Sequence, residues 1–336
     1  MPRATRIALG VLGLTVAVLA VGPFLVPIPP LEGTVPPEAL ADPDSRFVEI
    51  AGLQVHYRET GQGEPAVLLL HGFGASTFSW REVMEPLGRG YHVVAFDRLG
   101  FGLTARPLPG EWTGRSPYST EAQVDLTVAL MDALGVERAV LVGNSAGGTI
   151  ALLVALAYPA RVRGLVLVDA AIYTRGGAPA WLRPILAMPQ MRRLGPLLLR
   201  AFPKQGEDLI RLAWHDPSKV TPEVLEGYRK PLQAAYWDRA LYELTVATAV
   251  PDLAPRLPEV RVPTLVVTGD DDRIVPTEES LRLAAELPNA RLVVIPACGH
   301  LPQEECPGPF LKAVKAFLEG LGGAGGAPAR PASSGG

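Results

Sequence analysis

The sequence predicts a doubly wound α/β fold with a mostly parallel sheet, interrupted once by an inserted helical cap. Three observations lead there. Short unbroken apolar runs recur at residues 66–70, 93–96, 139–142, 165–168, 264–267 and 292–295; continuous rather than alternating runs suit strands buried on both faces of a parallel sheet. Helical patterns separate most of these runs, which is the rhythm of an α/β sheet. From residue 172 to 260 the rhythm gives way to a stretch rich in proline, tryptophan and leucine, with helical patches and no strand signal.

In chain order, Arg3 and Arg6 precede the uncharged residues 7–26. Twenty helical residues rise about 30 Å, the thickness of a bilayer's hydrocarbon core. Residues 1–28 are therefore read as a membrane anchor or a cleaved signal peptide, with Val18-Leu19-Ala20 as the cleavage site of the second reading and a buried core helix as the third. The positive end stays in the cytoplasm, which puts everything after Pro30 outside it, anchored or secreted. Residues 29–45, rich in proline and acidic residues, read as an extended linker. Residues 46–171 and 261–321 form the two parts of the core around the cap at 172–260. The first part opens with an antiparallel edge hairpin, residues 47–50 and 53–59, turning at Ala51-Gly52. Thr120-Glu121-Ala122-Gln123 reads as a capping box for a helix running to Gly135, and Phe310, Val314, Phe317, Leu318 and Leu321 have helical spacing. Residues 322–336, almost all small, read as a disordered tail.

The chain has 336 residues, 48% of them hydrophobic, ample for one large catalytic domain. A net charge of −3 with scattered lysines and arginines argues against nucleic acid as a partner, and no obligate protein partner is evident. No CxxC pair or HExxH sequence occurs, so no metal or other cofactor is expected. Cys298 and Cys306 flank a histidine loop. An exported location permits a bridge there, but the favoured reading is two free, buried thiols.

The strongest local signal is Gly143-Asn144-Ser145-Ala146-Gly147, after the apolar run at 139–142 and before an apolar helix. A G-x-S-x-G at a strand-to-helix turn forces its serine into a strained conformation and leaves it projecting from the end of the sheet. The second signal is His71-Gly72-Phe73-Gly74, directly after the run at 66–70. It reads as the loop that supplies an oxyanion donor, with His71 bracing it.

Together with Asp97-Arg98-Leu99-Gly100-Phe101-Gly102, the stretch Thr268 through Pro276 and Cys298-Gly299-His300, these segments resemble the α/β-hydrolase superfamily, in its esterase, C–C hydrolase and cofactor-free haloperoxidase branch. The resemblance covers about residues 47–320. It implies an eight-stranded sheet, Ser145 as nucleophile, backbone amides of Phe73 and Ala146 as the oxyanion hole, Asp272 as the acid by the pattern G-x-x-D, and His300 after the last strand. Asp169 remains the alternative acid, because some relatives carry it after strand six. Elimination also favours His300, since His56 and His92 fall on predicted strands and His215 falls in the cap.

The triad implies a serine carboxylesterase working through an acyl-enzyme, on a small ester with an apolar acyl or aromatic part. Trp181, Leu182, Ile185, Leu186, Met188, Leu197, Leu198, Leu199 and Phe202 of the cap are candidates to line that pocket, with plain helix packing the favoured reading residue by residue and some of the set expected to face the site. A C–C bond hydrolase or a haloperoxidase/perhydrolase on the same triad is the alternative. The C–C reading is weakened because HGFGAS departs from the HGxGPGA of meta-cleavage hydrolases. A non-catalytic binding protein of the same fold is the remote alternative.

Overall fold

The computed structural model describes residues 2–323 apart from residue 175, with no side-chain description at Phe202 and Lys204. Residues 324–336, most of the expected tail, lie outside the described residues, as does the side chain of Phe202.

Eight strands form one sheet: β1 (Arg46–Ile50), β2 (Leu53–Thr60), β3 (Ala66–Leu70), β4 (Val93–Phe96), β5 (Ala139–Asn144), β6 (Val162–Val168), β7 (Thr264–Gly269) and β8 (Ala290–Ile295). Their order is β1-β2-β4-β3-β5-β6-β7-β8. Only β1 with β2 and β2 with β4 run antiparallel; every other pair is parallel. The apolar runs form strands because both faces of the sheet are covered. Leu68, Leu70, Val94, Phe96 and Leu141 pack under the helices Thr120–Ala133 and Ala146–Ala157. Their neighbours one residue away, Val67, Leu69, Val93, Ala95 and Val140, pack with Phe310, Val314 and Leu318 of the helix Pro307–Gly323. This is the two-residue alternation of a strand. The edge strand β8 departs from the expectation of two buried faces: Leu292 and Val294 stay exposed, since β8 pairs on one side only.

Two local readings shift. The helix Thr120–Ala133 is capped by Ser119, whose side chain accepts from the Ala122 amide. Thr120, read as the cap, instead accepts from the amide of Ala249 and so ties the segment after β6 to the core. The helix ends at Ala133, before Gly135, whose φ of +68° marks a left-handed turn.

Between β6 and β7 the chain forms helices, among them Pro189–Leu199, Phe202–Ala213, Pro222–Arg229 and Trp237–Ala247, and contributes no strand to the sheet. Residues 29–45, expected as a free spacer, lie against this segment instead. Val35 bridges to Ala234, and Arg200 donates to the carbonyl of Pro29. The reason is backbone pairing: the Val35 amide and carbonyl both find partners, at Gln233 and Ala235.

Arg3–Leu25 is a single 23-residue helix with none of its residues buried. That removes the reading of a buried core helix. By length and composition it is able to cross a membrane.

Candidate active site

β5 ends at Asn144 and the next helix starts at Ala146, which leaves one residue, Ser145, to reverse the chain. It does so at φ +53°, ψ −121°, a backbone state that costs a non-glycine residue about 1–3 kcal/mol. Close approach around it demands glycine: a Cβ on Gly147 would stand 2.1 Å from the Leu70 carbonyl oxygen, and one on Gly143 2.5 Å from that of Gly147. The Ala146 amide is the first of the helix and lacks an intrahelical acceptor, so it faces whatever lies against Ser145.

The loop after β3 is held rigidly against this turn. A Cβ on Gly72 would lie 3.3 Å from that of Ser145. His71 is fully buried; its Nδ1 donates to the Gly72 carbonyl at 2.7 Å and its Nε2 accepts from the Arg98 amide at 3.0 Å. Burial, aided by the nearby Arg98 charge, drives the imidazole down to about 3, so it stands neutral. The Arg98 guanidinium donates to the carbonyls of His71 and Gly72. The sequence singled out His71 as a brace; Arg98 completes it from the loop after β4.

His300 and Asp272 meet where the loops after β8 and β7 converge. Nδ1 of His300 lies 2.7 Å from Oδ2 of Asp272, with both side chains buried. The other carboxylate oxygen accepts from the amides of Ile274 and Val275 at 2.8 and 3.0 Å, so Asp272 is fixed in orientation. Asn144 joins the two halves of the site, its side-chain amide donating to the carbonyls of Val168 and His300.

Asp169, the alternative acid, stands behind Asp272 rather than beside the imidazole. It is fully buried, and its Oδ1 accepts from the Thr268 hydroxyl at 2.7 Å. Burial first, and then the charge of Asp272, push its carboxyl well above the usual range. Its Oδ2 is buried without a partner among the described residues, a setting that disfavours the charged form.

Two features near His300 were not anticipated. Cys298 and Cys306 form a disulfide with Cα atoms 6.3 Å apart, which corrects the favoured reading of free thiols; the separation falls within the range that a bridge requires. The buried carboxylate of Glu305 accepts from the amides of Gly299, His215 and Asp216 at 2.8, 2.9 and 2.8 Å, binding the histidine loop to the inserted helices. Two clusters bring three potential ligand atoms together among the described residues, Asp169, Asp272 and His300 in one and Cys298, Glu305 and Cys306 in the other. In the first, Nδ1 and the carboxylates are bonded to one another; in the second, both sulfurs are in the disulfide.

Ser145 sits between two cavities. One, of about 180 Å³, is lined by Ser145, His300, Phe73, Leu209, Ile210 and Leu225 among others. The second, of about 400 Å³, is lined by Ser145, Ala146 and Phe73 together with Arg98, Gln123 and Thr149. The first is an apolar lobe built partly by the inserted helices. The second carries a cation and amide and hydroxyl groups. Of the cap residues proposed from sequence as lining, Trp181, Ile185, Met188 and Leu198 are exposed and line neither cavity. The apolar wall is set instead by the next helix, Phe202–Ala213.

Comparison with known proteins places this arrangement. Residues 65–307 match the family model described as the alpha/beta hydrolase fold. The chain is 33% identical over 287 residues to a 2-hydroxy-6-oxo-6-phenylhexa-2,4-dienoate hydrolase of Burkholderia cepacia, covering 82% of this chain and 96% of that one. It is 32% identical over 293 residues to a 2-hydroxy-6-oxononadienedioate/2-hydroxy-6-oxononatrienedioate hydrolase of Pseudomonas putida, with the same coverage. Among solved structures, a membrane phospholipase A described as a bacterial virulence factor aligns with TM-score 0.66 at 27% identity, over 96% of this chain and 99% of its own. A meta-cleavage product hydrolase from Pseudomonas fluorescens aligns with TM-score 0.65 at 28% identity, over 82% and 97%.

These relatives overturn the expectation of a carboxylesterase. A 2-hydroxy-6-oxo-dienoate contains no ester bond, so the curated relatives are named for hydrolysing something else. The HGFGAS segment misled because its departure from HGxGPGA lies mainly in side chains beyond Gly74, whereas the loop contributes through its backbone.

Replacing Ser145 by Ala is expected to lower turnover by as much as ~10⁶, and Asp272→Asn by about 10⁴; steady-state rates on one substrate check both. Asp169 gives a pH prediction. Its folded carboxyl binds a proton that the unfolded chain releases above its ordinary value of 3.8, so the wild type loses stability as pH rises from about 4. Asp169→Asn keeps a donor and removes this titration. Urea melts at pH 4 and pH 8 should show the variant gaining on the wild type at the higher pH, and a gap that does not change with pH contradicts the assignment.

Proposed function

The chain belongs to the α/β-hydrolase fold family, and within it we propose that the protein hydrolyses a carbon–carbon bond in a 2-hydroxy-6-oxo-dienoate or a closely similar vinylogous diketone. The observation that carries this reading is the similarity, at about one third identity over most of both chains, to hydrolases named for such acids. The site's chemistry supports it. A substrate of this class has a carboxylate and an enol hydroxyl at one end and an acyl arm at the other. Arg98, in the second lobe, forms no ion pair among the described residues, although it is buried. Gln123, in the same lobe, has a buried side-chain oxygen without a partner. A carboxylate answers the first and a hydroxyl donor the second.

The residues divide the work as follows. In the 2,6-dioxo tautomer of the substrate, His300 takes the Ser145 proton as the serine oxygen attacks the C6 carbonyl, and Asp272 holds the imidazole in the tautomer that can accept it. The charge on the carbonyl oxygen faces the amides of Phe73 and Ala146. The C5–C6 bond then breaks, and its electron pair runs along the conjugated chain to the oxygen on C2; the proton held by His300 leaves with that dienoate. Conjugation is what makes carbon a competent leaving group. Water, giving its proton to His300, attacks the acyl-serine and releases the second acid, so that one water is consumed overall.

We further propose that Arg3–Leu25 is a membrane segment, with the catalytic domain outside the cytoplasm. Its length and apolar character support this, as does the phospholipase similarity, which covers too much of this chain to leave out the 23-residue helix. The disulfide suits an oxidising compartment.

The experiment is direct. Purified protein mixed with 2-hydroxy-6-oxo-6-phenylhexa-2,4-dienoate or its nonadienedioate counterpart should bleach the dienolate absorption and release 2-hydroxypenta-2,4-dienoate, while Ser145→Ala leaves the absorption in place. Stable absorption with every such substrate, in untreated protein from a preparation of which a separate aliquot labels at Ser145 with a fluorophosphonate, removes the reading.

A further inference from the structure

Arg106, on the loop after β4, is buried at 7% exposure. Its Nη2 donates to the carbonyls of Gly102 and Pro231, whereas Nε and Nη1 are buried with no partner. It forms no ion pair among the described residues. The carboxylate of Asp97, whose charge it feels, is committed elsewhere, to His56 and to the amides of Thr77 and Leu103. Burial accordingly lowers the guanidinium's pKa to about 10, which leaves it charged at neutral pH.

Arg106 also lines a chamber of about 30 Å³, walled further by Gly74, Ala75, Phe101, Tyr228 and Leu232. Gly74, Ala75, Tyr228 and Leu232 also wall the apolar lobe beside Ser145. The volume holds about two water-sized groups, which is the size of a carboxylate's two oxygens. A buried cation with unfilled donors, beside a mainly apolar lobe whose other charged wall is the paired Glu207 and Arg229, is matched by a group that carries negative charge and only accepts hydrogen bonds.

We propose that this chamber is a subsite for a terminal carboxylate on the acyl arm, so that the preferred substrates are diacids. The assignment of the arm rests on the carbon–carbon hydrolase reading. Both kinds of arm occur among the relatives' names, a phenyl group in one and a dioate in the other, and Arg106 selects the second kind here.

The test separates the subsite from the reaction. Binding of succinate, glutarate and adipate to the Ser145→Ala protein is measured by titration calorimetry against butyrate, pentanoate and hexanoate at constant ionic strength. At the length that reaches the chamber, the diacid should bind at least about tenfold more tightly than its monoacid. That preference should vanish when Arg106→Gln is added, with fluorophosphonate labelling of the Ser145-intact Arg106→Gln protein confirming a folded site. Ala75→Leu, which fills the chamber from its opposite wall, should abolish the same preference and carries the test if Arg106→Gln does not fold. Equal binding of diacid and monoacid at every length, or a preference that survives either folded variant, overturns the proposal. Diacid preference in binding with no dienoate cleaved leaves the subsite standing and removes the reaction. Dienoate cleavage with equal kcat/KM for monoacid and diacid substrates removes the subsite and leaves the reaction.

Discussion

The buried hydrogen bond between His300 and Asp272 is the contact on which the site depends, and much of the surrounding structure holds it in place. Asp272 is oriented by two amides of its own loop and backed by the buried carboxyl of Asp169, whose surroundings favour its neutral form. On the other side, the histidine loop is fixed by the disulfide, by Glu305 and by Asn144. A protonated acid behind a charged one lets two carboxyl groups share a buried space where two charges would repel. Because Glu305 also binds the amides of His215 and Asp216, the histidine loop is tied to the helices over the site.

That rigidity has a purpose when the leaving group is carbon. An acyl-transfer triad supplies the nucleophile, the proton transfer and the oxyanion donors whatever bond is broken. What distinguishes one reaction from another is the ability to hold the leaving arm so that its electron pair is delocalised as the bond breaks. The two lobes meeting at Ser145 provide this division of labour. In the proposed reaction the lobe with Arg98 and Gln123 would take the polar end of the substrate, and the lobe formed under Phe202–Ala213 the acyl arm. Arg98 also braces the loop after β3, so in the proposed reaction it would couple recognition of one end of the substrate to the placement of the Phe73 amide.

Much of this was legible in the sequence, for identifiable reasons. The strand runs at 66–70 and 139–142 announced themselves because burial on both faces removes polar residues, and the Ser145 turn did so because its backbone leaves no room for side chains beside it. Asp272 and His300 were readable from the family pattern. Glu305 was not singled out, although two consecutive glutamates just before a cysteine and a proline were a visible signal; two of the three amides that Glu305 binds lie about 90 residues away in the chain. The disulfide was hidden for another reason, since the eight-residue spacing of Cys298 and Cys306 does not state a Cα separation. Arg98 was noted only as part of a family segment and Arg106 not at all, because nothing local reveals that an arginine is buried without a counter-ion. The bond being hydrolysed was not readable from the triad, which is common to many reactions.

An internal competition reads the choice of bond most directly: equal concentrations of a 2-hydroxy-6-oxo-dienoate and the methyl ester of its acyl arm, followed together in one vessel with the wild-type protein. A carbon–carbon hydrolase of the kind described consumes the dienoate first, by a kcat/KM ratio of at least about 100, because only the dienoate fills the polar lobe. Consumption of the ester first, with the dienoate intact, contradicts it.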